Sequence, residues 1–96
     1  MNSVIKRVRK SLNIKSASFD DELADLIAAA RADMIDSGIP REVANDDNDP
    51  LVVQAIKAYC KADQYSEEPQ IAQGYQATYK SITDKLSLKH GTDGGK

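Results

Sequence analysis

The chain has a single cysteine, Cys60, so no disulfide forms within it and a scaffold stapled by disulfides is excluded. Folding in a reducing cytosol is the expectation. No apolar run approaches membrane-spanning length. The basic start (Lys6, Arg7, Arg9, Lys10) lacks the apolar core and small-residue cleavage site of a secretory signal. A soluble, unprocessed protein with no membrane partner is expected. A glycine-rich phosphate loop, a Cys/His metal cluster and paired carboxylates in a plausible cleft are all missing. With 96 residues the chain makes one small domain with a modest core, too short for a deep cleft between domains. These features point to a non-enzyme with no cofactor and no resident metal.

What is present is an uneven distribution of charge. The formal net charge is only −2, yet residues 1–15 hold five basic groups and no acid, whereas residues 16–50 hold ten acids against Arg31 and Arg41. Such polarity favours association between copies, the basic arm of one near the acidic middle of another. A solvated acidic face beside a basic end accounts for the same charges without any association.

Apolar residues recur at helical spacing in four segments, and no segment alternates as a strand does. The first runs from Ser3 to about Asn13 on Val4, Ile5, Val8 and Leu12, followed by a polar link. The second has Ser18 as its expected N-cap, with Asp20, Asp21 and Glu22 where the helix dipole favours acids. Its buried stripe is Leu23, Leu26, Ile27, Ala30, Met34 and Ile35, and Gly38 followed by Pro40 closes it. Residues 39–48 are expected to be a loop. Asp49 as N-cap and Pro50 in the first turn open the third helix, with Leu51, Val52, Ala55, Ile56, Tyr59 and Cys60 on its apolar face. The fourth begins near Glu68-Pro69 and carries Ile71, Tyr75, Tyr79, Ile82 and Leu86. Gly74 weakens it, so either another backbone packs closely there or the segment leans on tertiary or subunit contacts. The expected fold is therefore all-α, a small bundle of about four helices over residues 1–90 with a flexible C-terminal tail over 91–96 that lacks any apolar anchor.

One stretch resembles a ligand cluster. In NDDNDP, residues 45–50, the oxygens of Asn45, Asp47 and Asp49 have the alternate spacing of the first three ligands of a calcium loop. That loop also needs glycine at its sixth position and a bidentate glutamate at its twelfth, where this chain has Pro50 and Ile56. A plainer division follows: Asp49-Pro50 start a helix, and Asn45, Asp46, Asp47 and Asn48 form an acidic loop with spare charge, a candidate contact to a neighbouring subunit. Cys60 on an apolar helix face reads as a small core residue, and His90, beside the tail, as an exposed histidine rather than its catalytic base. Lys6, Arg7, Arg9 and Lys10 are candidates for a subunit contact or for nucleic-acid phosphates. They lack aromatic partners for base stacking, and the acidic second helix cannot serve as a recognition helix. Tyr75 and Tyr79, four residues apart, read as core or interface packing, their hydroxyls suited to a partly wet boundary.

The order of four pieces resembles a known family. They are VRKSLNI (8–14), DDELADLIAAARADMIDSGI (20–39), DPLVVQAIKAYCKA (49–62) and YQATYKSITDKL (75–86). Taken together, they look like the head-tail connector, or adaptor, proteins of long-tailed bacteriophages and prophages. The resemblance implies a virion structural protein of the head-tail junction, assembled in the host cytoplasm. It implies a homo-oligomeric ring of about twelve subunits, a closed assembly in which each copy offers two different faces. The implied partners are the portal protein above and a stopper or tail-completion protein below, with packaged DNA passing through without sequence-specific binding. The last helix and tail become candidates for gripping the portal, with Tyr75, Tyr79, Lys85 and Lys89 as contact residues. An alternative of another class is a small DNA-associated or regulatory phage protein acting through the basic N-terminal helix.

Overall fold

The computed structural model describes residues 3–90, so the tail expected over 91–96 lies outside the described residues. Five helices follow one another: α1 (Ser3–Ser11), α2 (Asp20–Asp36), α3 (Arg41–Ala44), α4 (Pro50–Gln64) and α5 (Pro69–His90). No strand occurs among the described residues, and the fold is all-α as the periodicity requires.

The helix ends follow from local chemistry. The chain leaves α1 through Asn13 at φ 60, a left-handed conformation that asparagine tolerates. Ser18, expected to cap α2, does not. It lies within a single 3-10 turn, Ala17–Phe19, whose cap is Ser16, with Ser16 Oγ accepting from the Ser18 amide at 3.0 Å. The residue before α2 is then Phe19, which has no side-chain acceptor to offer. At the other end of α2, Gly38 adopts φ +104. Its amide donates to the Ile35 carbonyl, and that of Ile39 reaches back to Met34. This doubled return is the Schellman closure, with Met34 and Ile39 both buried as its apolar pair. Asp49 Oδ1 accepts from the Leu51 amide at 2.9 Å, and Pro50 takes the first position of α4.

The loop expected over 39–48 contains α3. Pro40 cannot prolong α2, but its carbonyl accepts from the amides of both Val43 and Ala44 and so nucleates one helical turn. A single turn is too short to show helical periodicity in the sequence.

α4 is the central helix and packs against α1, α2 and α5. Its buried residues Val52, Val53, Ala55, Ile56, Ala58 and Cys60 consequently spread over an arc of about 220° at 100° per residue, wider than a one-sided stripe. α5 folds back antiparallel along it: Tyr65 stacks on Tyr75 (5.8 Å), Tyr59 meets Tyr79 edge-on (5.3 Å), and Asp49 approaches His90 (3.9 Å). The core joins Val4, Val8 and Leu12 of α1 to Leu23, Ile27, Ala30 and Met34 of α2, the α4 stripe and Leu86. The resulting body is flattened, 42 × 34 × 18 Å along its principal axes.

Two expectations for α5 change. Ile71 is exposed, and Ala72 takes its place in the buried stripe, continued by Thr83 and Leu86. Gly74 is exposed, and a Cβ built there meets nothing within 4 Å, so close backbone packing is not why it is glycine. Gly74→Ala is expected to stabilise the chain by up to about 1 kcal/mol, by restoring helix propensity without a clash. A shift of the urea midpoint to higher concentration is the check.

Candidate functional site

The acidic stretch is mostly held in place by the chain's own groups. Asp46 Oδ1 accepts from the Asn48 amide at 2.9 Å, forming a local turn, and Asp49 caps α4. Asp47 is claimed by Arg31 of α2: Nη2 lies 2.6 Å from Asp47 Oδ1 while Nη1 donates to the Ala44 carbonyl at 2.7 Å. The spare charge expected over Asn45–Asn48 is thus reduced to the solvent side of Asp46. Asp49→Ala is expected to cost about 1 kcal/mol through loss of the cap. Calcium should leave the melting temperature unchanged, and a clear calcium-dependent rise would restore the metal reading.

His90, expected to be exposed, is half-buried against Asp49, where the end of α5 returns to the start of α4. Cys60 is fully buried; burial, and then the Asp63 carboxylate, push its thiol from 9.0 up to about 12. A thiol so rarely ionised is a poor nucleophile. The tyrosines tie helices together. Tyr79 donates to Asp33 Oδ2 at 2.7 Å and packs on Tyr59. Burial first, and then the Asp33 carboxylate, hold its phenol far above the ordinary range, so it remains a neutral donor bridging α5 to α2. Tyr75 stacks on Tyr65, and Lys61 Nζ lies 5.3 Å from its ring centroid.

The four N-terminal cations divide by face. Arg9 turns toward α2, where its Nε lies 3.1 Å from Asp20 Oδ1, both atoms shielded from water. Lys6, Arg7 and Lys10 are exposed. Arg7 and Lys10 form one wall of a cleft of about 700 Å3 over α4, whose floor includes Val53, Gln54 and Lys57. The cleft continues past Lys61 toward Tyr75 and Thr78 on α5. No carboxylate lines any of it. At 100° per residue Pro50, Gln54, Lys57 and Lys61 share an arc of about 60°, so the groove follows the one open side of the central helix. Lys85 and Lys89, on α5, are exposed, as is Leu88 at 85%.

The described residues form a helical body with an open basic groove and hold no cluster of metal-ligating side chains. A family model described as phage connector protein matches residues 4–93. The chain belongs to the phage connector family. No curated protein and no solved structure matches it. The connector is thus a structural phage protein of the head-tail connection, associating with other head or tail proteins.

In the connector, sequence reasoning missed Arg31 and the lysines of α4. Arg31 is the only cation in an otherwise acidic helix and adjoins the buried Ala30, and that isolation is the signal a reader could have used. Lys57 and Lys61 are four residues apart on α4, but nothing in the sequence joins them to Arg7 and Lys10; only the packing of α1 beside α4 does.

Proposed function

We propose that the connector is a ring-forming adaptor that docks beneath the portal, extends its channel and presents a platform to a stopper or tail-completion protein. Its mechanism is geometric, and no residue carries catalysis. About twelve copies close into a ring through two different faces of each subunit. The exposed cations Lys6, Arg7 and Lys10 serve contacts between copies, while the exposed Lys85 and Lys89 serve the partner above. Packaged DNA passes through without being read. The residues lie in one domain that assembles in the host cytoplasm and ends in the virion.

The observation carrying this reading is the family match, which spans all five helices rather than one motif. The flattened body and the segregation of basic from acidic surface are compatible with side-by-side stacking around an axis. Mixing the chain with its cognate portal and measuring mass and symmetry by native mass spectrometry and electron microscopy tests it. A cyclic layer of connector on the portal is expected. A strict monomer that ignores the portal overturns the reading.

A further inference from the structure

The groove over α4 and the outward side of α2 are complementary, and one chain cannot bring them together. On α2, Asp21, Asp25, Ala28, Ala32 and Asp36 fall within an arc of about 80° at 100° per residue, and all are exposed. That arc is opposite the buried Leu23, Ile27, Ala30 and Met34. It presents carboxylates over small side chains, a low ridge that another surface can approach closely. The groove presents the reverse: Arg7, Lys10 and Lys57 around a floor containing Pro50 and Val53. Those three cations have no ion-pair partner among the described residues, and neither have Asp21, Asp25 and Asp36.

Placement decides the occupant. Leu26 of α2 sits with Tyr59, Ala62 and Asp63 of α4, about half a turn around α4 from Gln54, Lys57 and Lys61 at 100° per residue. The α2 ridge therefore lies on the far side of the molecule from the groove and faces away from it. Two complementary surfaces on opposite sides of one body make a heterologous contact, the kind that closes into rings. A nucleic-acid backbone would match the cations but leaves the carboxylate ridge of α2 without a partner, and the chain's net charge of −2 opposes it.

We propose that the groove formed by α1, α4 and α5 seats the outward ridge of α2 from a second copy of this chain, with Asp25 and Asp36 meeting Lys10 and Lys57. This rests on the ring reading above and specifies its subunit interface.

Two charge reversals in the full chain test it: Lys10→Glu with Lys57→Glu on the groove side, and Asp25→Lys with Asp36→Lys on the ridge side. Each double variant alone is expected to lose association between copies by more than about tenfold, since like charges then face each other. An equimolar mixture of the two is expected to assemble again, because each variant's altered surface complements one on the other. Recovery in the mixture also shows that both variants fold. Analytical ultracentrifugation, alone and on the portal, reads the result. Rings that each double variant still forms by itself overturn this interface and leave the connector reading standing. A wild-type chain that never associates, with or without portal, overturns both. A groove that binds a short DNA duplex, with binding lost in the lysine reversal while copies still assemble, assigns it to nucleic acid and overturns the proposal.

Discussion

Ile56→Ala is expected to destabilise the connector by about 3–4 kcal/mol, the middle of the range for truncating a buried isoleucine. Ile56 is 0% exposed and lies in the stretch of α4 that packs against α1, α2 and α5. A void there is lined by several helices at once, and none can move in without leaving another. At roughly 4–8 °C per kcal/mol for a domain of this size, the melting temperature should fall by about 15–25 °C. That is a large part of the total stability of a small domain, on the order of 5–15 kcal/mol. Leu88→Ala removes the same number of carbons, yet Leu88 is 85% exposed and the change should stay within about 0.5 kcal/mol. Thermal melts followed by circular dichroism separate the two. A loss below about 1 kcal/mol for Ile56→Ala would mean that α4 is not the centre of the core.

The contrast between those residues shows where periodicity stops informing. The stripe of α2 could be read directly, since that helix buries one face only, and Leu23, Ile27, Ala30 and Met34 keep the spacing. α4 buries Val53 and Ala58 as well, which break a one-sided stripe, because a helix enclosed by three others has no single inner face. Ile71 fits the pattern of α5 by spacing alone but falls just off the line that contacts α4, so Ala72 is buried instead. Stops and starts with unusual backbone chemistry were the most legible features. Gly38 has the left-handed φ that closes a helix, and Asp49-Pro50 have the acceptor and the fixed φ that open one. Ser18 had the right chemistry in the wrong place, because Ser16 two residues earlier nucleates a separate turn.

The site was legible as composition and not as geometry. A basic N-terminal run stands out in the sequence, but helical rotation sends Arg9 inward to Asp20 while Arg7 and Lys10 face the groove. The partners that turn this run into a groove come from α4 and α5, forty or more residues away in the chain. Carboxylates in NDDNDP looked available for a ligand because their intramolecular partner, Arg31, belongs to a different helix.

Arg31→Ala should cost about 2–3 kcal/mol, most of it from stranding a backbone carbonyl and less from the ion pair. The guanidinium donates to the Ala44 carbonyl at 2.7 Å, Ala44 is 0% exposed, and no other donor reaches that oxygen among the described hydrogen bonds. Asp47 is 38% exposed and regains water when the arginine is removed. Asp47→Ala should therefore cost only about 0.5–1 kcal/mol, and Arg31→Lys should recover less than half of the loss, because one ammonium nitrogen cannot occupy the two separate donor positions of Nη1 and Nη2. The damage should also be local before it is global. α3 has four residues and hangs on Arg31, Pro40 and the buried Ala44, so amides of residues 43–49 should lose protection from hydrogen exchange while those of α4 keep theirs. If Asp47→Ala proves as costly as Arg31→Ala, the ion pair and not the carbonyl holds the segment, and the stability should then fall with added salt as well.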